Sequence, residues 1–307
     1  MPIRNKHRTF KRLAWRHDDF ERRFGFVGAR YTKVGVLSSC IFATVSTVLF
    51  YVIVSFTPTC SFKNMFTQRG QTPYCVVLLG FWCFWILWIK TRKIKEQRKP
   101  LERPITPTNV DFELTVSTVD DVIATIEAAA ESPKDYILYR RIIQTLSNMR
   151  NIGQISDVDA LFRSQAEQDE NTMESSYSLV NGFLWAIPIL GFIGTVMGLS
   201  SAIGHFAAVL TASSDVSELT PALKDVTAGL STAFETTFVA LVVALFLQLY
   251  STFVKKMDEE LLDDCSEFCT SNVVMKIRVE NSPRLNPVGR TPYLSGASGT
   301  ARKDNAP

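Results

Sequence analysis

The chain has 307 residues, a formal net charge of +3, 46% apolar residues and a mean hydropathy of +0.09. That length admits two or three soluble domains, but the hydropathy implies that part of the chain never meets water. Six cysteines and three histidines supply no complete metal site, no phosphate loop or nucleophile elbow is present, and nothing points to an enzyme or a bound cofactor.

Residues 1–33 carry ten Lys/Arg against three acids, Asp18, Asp19 and Glu21. Anionic headgroups at a membrane edge account for such a leader without any need for nucleic acid. The first apolar block, Val34 to Phe56, is long enough to cross a hydrocarbon core of about 30 Å. It begins too late for a cleaved signal peptide, so it is expected to stay as an anchor. The loop from Thr57 to Tyr74 has only Lys63 and Arg69 as basic residues. Cys60 and Cys75 bracket it, and an oxidising periplasm would allow them to pair. The second block, Pro73 to Ile89, is short. Its three tryptophans and Lys90 suit the membrane interface, so it either spans a thin or steeply entered bilayer or forms a half-inserted hairpin arm. Seven more Lys/Arg lie in residues 90–103, which places the N-terminus and this segment in the cytoplasm by the positive-inside rule.

A proline-bearing linker, RKPLERPITPTN, opens the polar region at 93–178. Thr118 is placed to cap a helix with Val122, Ile123 and Ile126 at helical spacing, ended by Ser132-Pro133. A second helix is expected from Lys134 to Asn151, with Ile137, Leu138, Ile142, Ile143 and Leu146 on one face and Gly153 closing it. A third starts near Ser156, meets no breaker before Gly182, and is expected to run into the third span as one rod. Arg140, Arg141 and Arg150 read as solvated surface in preference to rotor contacts. The last two apolar blocks are Phe183 to Leu210 and Val226 to Val254, joined by a loop with one lysine and three acids. Past Val254 an amphipathic helix is expected to continue; its Asp263 and Asp264 read as solvated and Cys265 and Cys269 as free thiols. The final stretch, rich in Pro, Gly, Ser and Arg, reads as a disordered tail.

These elements define an all-α integral membrane protein. Four transmembrane helices carry a helical cytoplasmic insertion, and long helices extend from spans three and four into the cytoplasm. The segments are a basic N-terminus (1–33), a first hairpin (34–92), a helical cytoplasmic region (93–178), a second hairpin (179–254), a cytoplasmic helix (255–280) and the tail (281–307). Both termini are expected inside.

The stretch AIPILGFIGTVMGLSSAIGHF, residues 186–206, places glycines in a helix that each weakens by up to about 1 kcal/mol relative to alanine. Lipid competes with side chains for apolar contact, so membrane helices associate through close backbone packing, which small residues permit. Gly191, Gly194, Gly198 and Ala202 recur every three or four residues, with Thr195 beside them and Ser201 and His205 continuing outward. Span four has a matching stripe in Ala233, Thr237, Ala240, Ala244, Gln248 and Ser251. With Leu210 and Asp225 as paired ends, Gly198 is expected opposite Thr237. On another face of span four, Thr227, Ser231 and Glu235 repeat every four residues. A glutamate inside a bilayer costs about 3 kcal/mol. A helix with two polar faces fits a wall, one face against its neighbour and one lining a lumen; otherwise Glu235 is protonated or snorkelling in a bundle with no transport role.

The segments IPILGFIGTVMG and GLSTAFETTFVAL resemble the paired signatures of the MotA/TolQ/ExbB proton-channel subunits, and the four-span plan is most similar to the MotA arrangement. The motif resemblance covers residues 156–275. It implies a bacterial inner-membrane homo-oligomer, a pentamer, around two copies of a single-span subunit of the MotB/TolR/ExbD type whose transmembrane aspartate carries the proton. Thr195 and Thr237 match the threonines of the two signatures. The glutamate of the TolQ/ExbB branch is replaced by Thr232, and the acid stands one turn later at Glu235, so the implied ion path takes in Thr195, Thr237, Glu235, Thr232 and Ser231. The expected function is the wall subunit of a motor driven by protons or by sodium. The alternative is a non-conducting scaffold or receptor whose stripes serve only packing. A secondary transporter fits less well, since no inverted repeat or broken mid-membrane helix is seen.

Overall fold

A computed structural model describes residues 12–13, 15, 20–23, 25, 31–58, 61–67, 70–103, 105, 114, 118–148, 155–212 and 216–277. Its helices are α1 (Phe20–Arg23), α2 (Val36–Phe56), α3 (Ser61–Thr67), α4 (Thr72–Arg98), α5 (Val119–Ala129), α6 (Ile137–Asn148), α7 (Ile155–Ser176), α8 (Ser178–Ala212) and α9 (Val216–Asn272). Extended pairing among the described residues is confined to two isolated bridges. The tail, Gly153 and Arg150 lie outside them.

Four helices are long and apolar enough to cross a membrane: α2, α4, the α7–α8 rod and α9. The short second block is thus part of an unbroken 27-residue helix, about 40 Å at 1.5 Å per residue. It crosses in length because Lys90, Lys93 and the residues between them continue the helix instead of ending it. The outer faces of α2, α8 and α9 expose Leu, Ile, Val and Phe side chains, as lipid contact requires. α8 and α9 form the most extensive pair, α4 packs on both, and α2 packs chiefly on α4.

Two tryptophans of α4 turn their indole N–H groups towards α2. Trp82 Nε1 donates to Ser39 Oγ at 3.1 Å and Trp85 Nε1 to Ser46 Oγ at 2.8 Å, which satisfies polar groups between α2 and α4. Cys75 is exposed near the start of α4, and Cys60, its expected partner, lies outside the described residues.

At the basic end of the spans, two lysines expected at the headgroups are internal. Lys90 Nζ lies 2.9 Å from Asp258 Oδ2, both side chains 1% exposed. It also donates to Ser176 Oγ at 2.7 Å and sits 4.3 Å over the Tyr177 ring. Lys93 pairs with Glu21, equally buried, whose Oε1 accepts from Gly35 N and Ser38 Oγ at the start of α2. Glu21 therefore caps the first span from outside it, where the helix dipole favours an anion.

The expected single rod is interrupted at Tyr177. Ser175 and Ser176 hydroxyls donate back to Thr172 and Met173 carbonyls, and Tyr177 N bonds Glu174 O at 3.0 Å, a tightened turn that ends α7.

Beyond the spans, α5, α6, α7 and the end of α9 share an apolar core continuous with the membrane bundle. Thr118 takes the cap position of α5 as expected, without a side-chain capping bond. The Ser-Pro after α5 and a 3-10 turn at Pro133–Asp135 delay α6 to Ile137, three residues later than the pattern suggested. Arg141 is not solvated surface: it is 1% exposed, its Nε 2.7 Å from Asp169 Oδ2 and its Nη1 2.9 Å from Ser266 Oγ. Arg140 pairs with the same Asp169, while Asp263 and Asp264 are exposed as expected. Part of the leader is strapped to this body. Leu13 and Ala130 form a parallel bridge, and Trp15 packs edge-on against Tyr136 at 5.3 Å.

The Lys90–Asp258 pair joins α4 to α9 without water. Lys90→Met should leave a lone buried carboxylate and lower stability by about 3–5 kcal/mol, while Lys90→Met with Asp258→Leu should recover most of the loss. Unfolding of the purified variants in one detergent measures both.

Candidate functional site

The contact between α8 and α9 is set by missing side chains. A Cβ on Gly191 would lie 2.6 Å from Ala240 Cβ, and one on Gly229 would lie 2.5 Å from Ala202 Cβ. At Gly198 the nearest atom would be Ala233 Cβ at 3.4 Å. These three pairs each have residue numbers summing to 431, one antiparallel register. A Cβ on Gly194 would meet Thr236 Oγ1 at 2.9 Å and Thr72 Cγ2 at 3.2 Å, so the start of α4 closes the same seam.

The expected register is off by four residues, about one helical turn. That register pairs Leu210 with Asp225 as the ends of the two spans. Instead α8 runs on to Ala212 and α9 begins at Val216, so Ala233, not Thr237, stands opposite Gly198. Ala233 and Ala240 stand against the glycines of α8, and Ala244 and Ser251 are also buried. Ser201, His205 and Gln248 are exposed and leave it, because Ala202 and Leu247 take the contact positions. Gly229 and Thr236 are seam residues that the sequence reading passed over. Gly229 stands one four-residue step before Ala233, the spacing that already marked the stripe.

The threonines bond to backbone. Thr237 Oγ1 donates across the seam to Gly191 O at 2.9 Å; Thr236 Oγ1, buried, donates to Ala233 O at 2.8 Å. Thr195, half-buried, donates to Phe192 O of its own helix at 2.6 Å. Among the described residues no hydrogen bond joins Thr195 to Thr237. Thr232 lies on α9, its side chain outside the described residues. Away from the seam, Thr227 and Ser231 are exposed and Glu235 is half-buried, with Ser231 Oγ donating to Glu235 Oε1 at 3.3 Å. The structure therefore keeps Ser231 and Glu235 together on one face and Thr237 on another. Inside α8, Pro188 removes the backbone donor that would reach Leu184 O, one turn from Gly191.

Fold and seam together define a multi-pass, all-helical membrane protein whose last two spans form a close-packed hairpin with polar residues on two faces. The model of the MotA/TolQ/ExbB proton channel family matches residues 129–266 of this chain. The match begins earlier than the motif-bearing segment and takes in α6 and its Arg140/Arg141–Asp169 cluster. No curated protein and no solved structure gives a significant match.

Steric closure at Gly191 generates a compensation test. Gly191→Ala should loosen the hairpin by about 1–3 kcal/mol, and adding Ala240→Gly should restore it. Gly204→Ala, where a Cβ meets nothing within 4 Å, should be neutral or slightly stabilising. Thermal unfolding of the four proteins reads the coupling.

Proposed function

We propose that this chain is the wall subunit of a membrane motor driven by ion-motive force, with protons as the carried ion. Several copies, five on the family's plan, surround a single-span partner whose transmembrane carboxylate picks up the ion. The protein sits in a bacterial inner membrane with both termini inside. Spans α2 and α4 form an outer hairpin (34–92), α8 and α9 the channel core (179–254). The α5–α7 region (93–178) and the end of α9 (255–280) form the cytoplasmic body.

The observation that carries this reading is the second polar face of α9. Ser231 and Glu235 face away from the α8 seam at membrane depth, where an acid is costly unless the face meets water or a polar partner. The family match over residues 129–266 supports the same conclusion. On this reading Glu235, Ser231 and Thr232 line the lumen, and Thr195 and Thr237 position the ion beside the partner's carboxylate.

One observation favours the scaffold alternative: the Thr237 hydroxyl is spent on Gly191 O, a packing bond. Proton flux into vesicles holding this chain and its co-encoded single-span partner separates the two. Thr237→Val should reduce flux about tenfold, the scale of one lost hydroxyl contact, with assembly intact, whereas Thr237→Ser should keep it. Glu235→Gln should also reduce flux if the second face carries the ion. Wild-type vesicles without flux of protons or sodium under an imposed potential would leave the scaffold as the function.

A further inference from the structure

A cavity of about 670 Å³ opens at the basic end of the spans, between the start of α2, the Lys90 turn of α4 and the α7–α8 junction. It belongs neither to the α8–α9 seam nor to the polar face of α9. Its lining divides in two. Towards the body it is polar, with Lys33, Lys90 and the hydroxyls of Ser175, Ser176 and Ser178; towards the bilayer it is apolar, with Ile86, Leu179 and Phe183.

The charges around it do not cancel. Lys90 is offset by Asp258 and Lys93 by Glu21, both in buried pairs, which leaves Lys33, exposed at the rim. The balance among the described residues is one positive charge. Ser176 is held by Lys90 Nζ at 2.7 Å, so the polar wall is fixed, not pliable.

The apolar side has a gap. Gly182 lines the cavity, and a Cβ there would meet nothing within 4 Å. Beside it Phe183 packs against Trp82, with ring centroids 4.9 Å apart and planes tilted by 46°, so the apolar wall here is aromatic. An anion with one negative charge, entering where polar and apolar linings meet at the membrane edge, has the chemistry of a phosphodiester carrying acyl chains.

We propose that this cavity holds an anionic phospholipid. The phosphodiester lies among Lys33, Ser175 and Ser178 with Lys90 behind it, and an acyl chain leaves past Gly182 along Phe183 and Ile86. The lipid thereby fills the wedge between the outer hairpin and the α7–α8 rod. The assignment needs only that these helices cross a membrane and is independent of ion flux.

The test uses full-length protein purified in mild detergent, with retained lipid extracted and quantified. Phosphatidylglycerol, phosphatidylcholine or inorganic phosphate is then added back while Tm is followed. Wild type should retain phosphatidylglycerol and gain Tm from it. Lys33→Glu, a surface change, and Gly182→Leu, which fills open space, should each lower retention about tenfold. Arg163→Glu, at an 80% exposed site on α7, should not. Equal retention in Lys33→Glu and Gly182→Leu, or equal loss in Arg163→Glu, overturns the site. Stabilisation by phosphatidylcholine to the same degree makes it an unselective annular contact, and stabilisation by inorganic phosphate alone makes it a free-anion site; either result overturns the phospholipid.

Discussion

The lack of room for a single methyl group at Gly191 and Gly229 governs the membrane half of the molecule. Backbones that approach this closely gain dispersion contacts that lipid would otherwise supply, and they put a carbonyl within reach of a side-chain hydroxyl. The Thr237 bond to Gly191 O exists only because the neighbouring residue on α8 has no side chain. The same approach fixes the rotation of α9, so that Thr227, Ser231 and Glu235 are held away from α8. Loosening the seam would therefore move both polar faces of α9 at once.

A second constraint ties that hairpin to the rest. α9 runs without interruption from Val216 to Asn272, so its position in the membrane is passed to Asp258 and Ser266 as one rigid element. There it meets two buried charges, Lys90 from α4 and Arg141 from α6. Buried pairs of this kind contribute little net stability against apolar replacements, but a misplaced partner is severely penalised. They act as register pins. Glu21 works likewise for α2, pairing with Lys93 while capping the helix start. The leader, read from sequence as headgroup-facing, is in its described part a strap across the body.

How much of this was legible follows from what each signal encodes. Hydropathy and periodicity carry faces, so the four spans, the stripe Gly191–Gly194–Gly198 and the matching Ala233–Ala240–Ala244 were readable. A slip of one turn leaves the same faces opposed, and so the pairing of Gly198 with Ala233 instead of Thr237 was not. Charge counting assigns Lys and Arg to water by default, which hid Lys90, Lys93 and Arg141. Each has its partner far away in the chain, at Asp258, Glu21 and Asp169, and only the tertiary fold brings them together. The break at Tyr177 escaped because the serines before it are tolerated in helices, and Ser176, which bonds back to Met173 O, also accepts from Lys90 of α4, far away in the chain.

The face of α9 that bears Glu235 also changes character along its length. Thr227, Ser231 and Glu235 give way after one turn to Phe238, Leu245, Leu249 and Phe253, all exposed on the isolated subunit. That apolar run covers about 22 Å at 1.5 Å per residue. Water entering from the Thr227 end of this face would meet polar side chains as far as Glu235 and then none before Thr252. A lone subunit, or a ring of such subunits with an empty centre, would therefore confront an ion with a dry stretch that costs far more than the seam's hydroxyls return. An apolar helix seated on Phe238–Phe253 and presenting its own carboxylate near Glu235 removes that problem, because the charge is neutralised by protonation before it passes. The sequence of polar then apolar residues on one face thus fits the inserted partner proposed above, on physical grounds separate from the family match.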